Sequence, residues 1–114
     1  MDVQSSKQLA AGKCVPCEGG TGACPLPFVT EQLEQLPGWY LTKENQRIRK
    51  DWKVKNFLEG LAFFEAVGKI AEAEAHHPDL HLENYCDLSI EIWTHTLGGL
   101  SENDFILAAK IDAI

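Results

Sequence analysis

No run of apolar residues in this 114-residue chain approaches the roughly 20 needed to cross a bilayer, which excludes a transmembrane helix. Basic residues are scarce. Ten Lys and Arg against seventeen Asp and Glu leave a net charge of -7, which opposes binding to nucleic-acid phosphates or anionic lipid. The nearest thing to a basic patch, Arg47, Arg49, Lys50, Lys53 and Lys55, falls on an expected strand with Asp51 among them, and reads as a solvated sheet face. Cysteines are too unevenly placed for a disulfide framework, with Cys14, Cys17 and Cys24 near the start and Cys86 far away. Those three local thiols also fall short of the four ligands of a zinc site, and no histidine lies nearer than His76. The start, MDVQSSKQLAAGK, lacks the charged-then-apolar pattern of a secretory signal. A reducing compartment is expected, cytoplasmic, or a mitochondrion or plastid if a targeting leader has been trimmed.

What is present is the composition of one soluble globular domain, 45% hydrophobic and 24% charged. Residues 1–27 are rich in Gly and Pro and poor in large apolar side chains, and are expected to form a largely irregular leader to a domain spanning 28–114. A first helix is expected to begin with Thr30 as N-cap and to stop at Pro37-Gly38. Trp39 to Leu41 and Ile48 to Val54 read as a hairpin, with Ile48, Trp52 and Val54 on one face. The longest helix is expected from Phe57 to about Ala75, capped by Asn56, its stripe running through Phe57, Leu61, Phe64, Gly68, Ala71 and Ala75, with Gly68 as a point of close approach. A second hairpin pairs Leu80 to Leu82 with the alternating run Leu88, Ile90 and Ile92, and Ser101-x-x-Asp104 opens a last helix. The resulting order is α-β-β-α-β-β-α. This predicts an α+β, two-layer domain, a four-stranded antiparallel sheet with three helices on one face.

All four histidines, His76, His77, His81 and His95, lie between Glu72 and Asp104. Imidazole is the side chain that ordinarily titrates near neutrality, so this segment is the place to look for proton chemistry. On a continuing helix Glu72 and His76 are four apart and share a face, which lets the carboxylate orient that ring. Pro78 ends the helix and releases His77 from helical direction. His95, at a strand end, completes a working set of three, and Asp104 is positioned to orient another of the imidazoles. His81 reads as a surface residue of the hairpin. Glu65 and Glu74 read as part of a solvated helix face. A metal site is the competing reading of three histidines, although the adjacent pair lacks the i, i+4 spacing usual for zinc helices.

The run Glu72-x3-His76-His77-Pro78-x6-Tyr85-x9-His95-x8-Asp104, with Gly38-Trp39 before the first hairpin, resembles the signature of the pterin-4a-carbinolamine dehydratase family. The likeness extends from about Thr30 to the end. The connection Asp79 to Asn84 and the cysteine-containing leader are similar to the plant and protist branch. This resemblance implies dehydration of a 4a-hydroxytetrahydropterin to a quinonoid dihydropterin, downstream of an aromatic amino acid hydroxylase, with no metal or cofactor. It implies His76 and His95 as the proton-exchanging pair, without saying which is acid and which base. His77 and Thr94 would hold the pterin, and Trp39 would either wall the pocket or serve as a core tryptophan. Homodimers or homotetramers are implied as well, and a non-catalytic assembly or dimerisation role on the same fold is the alternative function.

Overall fold

The computed structural model describes residues 2–15 and 23–114; Cys17 therefore lies outside the described residues. The elements are α1 (Ser6–Ala10), α2 (Leu26–Leu33), β1 (Tyr40–Thr42), β2 (Arg47–Lys53), α3 (Phe57–Glu74), β3 (Asp79–Glu83), β4 (Asp87–Ile92) and α4 (Glu102–Asp112). The strands form one antiparallel sheet in the order β1-β2-β4-β3. Alternation decides which face is buried. Ile48, Leu88, Ile90 and Ile92 point into the core beside Val67 of α3 and Phe105 of α4, as their period of two requires. The opposite face carries Arg47 and Arg49, both paired to the buried carboxylate of Glu91. That pairing compensates a charge that the sheet alone would leave stranded.

Within the leader the structure shows one short docked helix. Ser5 caps α1 by accepting from Gln8 N while Gln8 Oε1 accepts from Ser5 N, a complete capping box. Leu9 of this short helix is buried in the core, and α1 packs on α4. Burial of one leucine is worth about 1.5–3 kcal/mol, and the segment finds polar anchors besides. As a consequence α4 is buried almost all round, from Asn103 to Ala109 and again at Ile111.

Two helix details are also corrected. The first domain helix starts at Leu26, a turn before Thr30, whose hydroxyl instead donates back to Leu26 O inside the helix. Pro27 sits in the first turn of this helix, where a missing NH costs nothing. On α3, Asn56 caps as expected through Glu59 N, but Glu59 returns its carboxylate to Lys55 N. The glycine of close approach is Gly60, where an added Cβ would lie 3.1 Å from Leu88 Cδ2, whereas Gly68 has open space. Phe57 and Leu61 are exposed, together with Leu58. The expected stripe is thus rotated, and the inner face runs through Gly60, Val67 and Ala71.

Candidate active site

The site begins where α3 ends. Ala75 adopts the left-handed conformation (φ 53°, ψ 38°), His76 N bonds to Ala71 O, and Ala75 N bonds to Glu72 O. This is the Schellman arrangement, here without the usual glycine. The chain reverses at Ala75, so His76 never reaches the face of Glu72 that a continuing helix would give it.

His76 turns instead to Asp104. Its Nε2 donates to Asp104 Oδ1 at 2.6 Å. The other carboxylate oxygen accepts from Thr94 Oγ1 (2.8 Å) and from Ser101 N (2.8 Å), and Ser101 Oγ lies 2.7 Å from Thr94 Oγ1. Asp104 is wholly buried and His76 has 12% side-chain exposure, so a dry carboxylate with three donors fixes this ring. Glu72 holds His77 rather than His76, with Nε2 to Oε1 at 2.7 Å, and both are open to solvent at 80% and 59% exposure. The expected partnership of Glu72 with His76 is therefore exchanged, because one residue in left-handed geometry moves each histidine on by a position.

His95 follows Thr94, whose main chain bridges Gly99 after β4 has ended. Its exposed ring lies 4.2 Å, centroid to centroid, from that of Trp93. Arg47 stacks on the same indole at 4.2 Å, and Trp93 Nε1 donates to Asp79 Oδ2. One cavity of about 420 Å³ is lined by all three of His76, His77 and His95, with Trp93, Thr94 and Asn103 beside them. That volume lies within the range that suits a small heterocycle.

Trp39 is not among the residues lining this cavity. It is buried in the core, edge-on to Trp52 at 5.8 Å, with Nε1 donating to Asp112 Oδ2. Thr94 lines the cavity, yet its hydroxyl is committed to Asp104 and Ser101. His81 lies on β3, paired across from Ser89. Trp93 was legible as a candidate from its position two residues before His95, since a period of two favours a shared side. Glu74 is not freely solvated: its side chain has 9% exposure, accepts from Cys14 N at 2.8 Å and lies 3.7 Å from Lys110 Nζ. The Cys14 NH, followed by the Lys110 charge, holds the Glu74 carboxyl below its ordinary range. Among the described residues no three His, Cys, Asp or Glu side chains are grouped to hold a metal ion.

A family model described as Pterin 4 alpha carbinolamine dehydratase matches residues 27–114. The chain belongs to this family. Among its dehydratase relatives, Pterin-4-alpha-carbinolamine dehydratase 2, mitochondrial, of Arabidopsis thaliana is 48% identical over 96% of this chain and 60% of its own length. A putative pterin-4-alpha-carbinolamine dehydratase of Dechloromonas aromatica is 41% identical over 96% of both chains. The solved structure of a transcriptional coactivator/pterin dehydratase from Brucella melitensis superimposes with a TM-score of 0.75 at 26% identity, over 81% of this chain and 97% of that one. This dehydratase-family chain thus spans less than two thirds of the Arabidopsis relative and nearly all of the bacterial one. Among the described residues no helix is long and apolar enough to cross a membrane.

Proposed function

We propose that this chain removes water from a 4a-hydroxytetrahydropterin, using His76 and His95 as the proton-exchanging pair and His77 to hold the pterin. The observation that carries this reading is the convergence of the three imidazoles on one cavity, with His76 locked by a buried Asp104. With Nε2 turned to Asp104, Nδ1 is the His76 nitrogen left to exchange a proton. In the reaction one proton is delivered to the 4a oxygen as the C4a–O bond breaks. The proton on N5 is taken up as the C4a–N5 double bond forms, and water leaves. Placed imidazoles contribute about 10² to 10⁴ each to such a step. The substrate would come from an aromatic amino acid hydroxylase that has used its tetrahydropterin, so the reaction recycles that cofactor.

A reducing compartment is proposed, whether cytoplasmic or the mitochondrial one in the Arabidopsis relative's name. A second copy of the chain is the proposed cover for the exposed face of α3, where Phe57, Leu58 and Leu61 stand open. A protein-binding role is the second reading, favoured by the coactivator description of the Brucella structure. The test is to generate the 4a-carbinolamine and follow its decay by stopped flow with wild type, His76→Ala, His77→Ala and His95→Ala. Acceleration by wild type that fails in the His76 and His95 variants supports catalysis. No acceleration by wild type leaves the protein-binding reading in its place.

A further inference from the structure

Residues 4–15 precede the part of the chain that the family model matches, yet they are fastened to it at both ends by the same device. The buried Gln32 amide accepts from Gln4 N at 3.0 Å and donates to Gln4 O at 2.8 Å. The buried Asn103 amide repeats this with Val15, its Oδ1 accepting from Val15 N and its Nδ2 donating to Val15 O. Between the two clamps Leu9 is buried, Lys110 Nζ donates to Ala10 O, and Cys14 N donates to Glu74. A side-chain amide satisfying both the NH and the C=O of one residue does the work of a neighbouring strand. This strap is therefore built into the fold rather than laid upon it.

The strap runs to the mouth of the cavity. Its anchors, Glu74 and Asn103, stand two residues before His76 and one residue before Asp104. Cys14 and Val15 consequently line the cavity that holds the three histidines. Val15 presents an apolar side chain that is 65% exposed, although its main chain is tied down. A flat pterin ring has apolar faces that need covering, and a short branched side chain on an anchored segment meets that need.

We propose that the strap is a wall of the substrate pocket, in which Val15 packs on the pterin ring and Asn103 is the positioning residue that holds it there. This rests on the dehydratase reading for the identity of the ligand. Binding should then depend on the strap while the His76–Asp104 pair, whose carboxylate is held by Thr94 and Ser101, continues to set the rate of the chemical step.

The full chain is tested in two ways. Steady-state kinetics on the 4a-carbinolamine are measured for Asn103→Ala, which removes both clamp bonds, and for Val15→Lys, which leaves the main-chain clamp intact and alters only the wall. If loss of both clamp bonds releases the strap, KM should rise about tenfold or more for Asn103→Ala, with kcat within about twofold. Asn103→Asp keeps the acceptor for Val15 N and loses the donor to its carbonyl, so it should fall between. Val15→Lys should raise KM without lowering the urea midpoint, and it serves if Asn103→Ala does not fold.

Site-resolved alkylation of Cys14 by iodoacetamide is the second readout. Burial, followed by the charge of Glu74, pushes the Cys14 thiol up to about 12, so a docked strap resists labelling and a released one does not. Cys14 should label at least tenfold faster in Asn103→Ala than in wild type, an amount consistent with recovering an ordinary thiol near 8.5. Added 7,8-dihydrobiopterin should slow labelling at Cys14 of the wild type and leave Cys86, at the far end of β4, unchanged. An active wild type whose KM is unmoved by both Asn103→Ala and Val15→Lys overturns the strap proposal and leaves the dehydratase reading standing. In an inactive wild type, protection of Cys14 by the dihydropterin still supports the wall, and absence of protection overturns it.

Discussion

Two carboxylate–imidazole pairs stand at the end of α3, alike in distance and opposite in setting. His76 meets Asp104 at 2.6 Å with the carboxylate fully buried, and His77 meets Glu72 at 2.7 Å with both partners open to water. Similar geometry does not mean similar consequence. In the buried pair, Thr94 and Ser101 hold the carboxylate from the other side, so moving the His76 ring would strand a charge. In the exposed pair, water replaces either partner and salt screens the attraction. The first pair therefore acts as a fixed part of the site, and the second as an adjustable one at its rim.

The strongest way to break this contrast is to change the buried pair. Asp104→Asn or His76→Ala should lower kcat by about 10² to 10⁴, read by stopped flow at saturating carbinolamine. Full activity in Asp104→Asn would remove the orienting role. Next comes the turn that separates the pairs. Ala75→Gly relieves a left-handed alanine and should raise stability by about 0.5–1 kcal/mol in urea denaturation, with the activity kept. A loss of stability there would mean that the Schellman turn carries no strain. Glu72→Gln removes a pair worth about 0–1 kcal/mol, so its rate should change by less than about fivefold, and the difference should vanish in high salt.

The smallest effect concerns Glu74, whose carboxyl is lowered by the Cys14 NH. A depressed folded-state value contributes stability that is present above the ordinary carboxylate range and is lost as pH falls through the lowered value. Urea midpoints of wild type and Glu74→Gln, compared from neutral pH downward, should therefore converge in acid. A gap that stays constant would show that Glu74 anchors the strap by shape alone.

Much of the frame was legible because its signals are local. The alternation of Leu88, Ile90 and Ile92 placed β4, Asn56 announced α3, and Ser101-x-x-Asp104 marked the start of α4. The stretch from Glu72 to Asp104 named the three imidazoles that share the cavity. Composition does not show the short helix of the leader, although Ser5-x-x-Gln8 carries a readable cap. The sequence leaves Trp39 open between pocket wall and core, and the core claims it through Trp52 and Asp112. Glu74 looked like any helix carboxylate, since its partners Cys14 and Lys110 lie 60 and 36 residues away, the latter being 110 minus 74.

By itself, then, the sequence determined the element order, the inward face of the sheet and the family, because periodicity and capping act within a few residues. Which carboxylate meets which histidine was decided only in three dimensions. Asp104 reaches His76 across 28 positions, and does so because Ala75 reverses the chain and α4 docks its first turn against that reversal. The strap, the exposed face of α3 and the wall at Val15 follow from the same cause. Each depends on where distant segments come to rest, which no local pattern records.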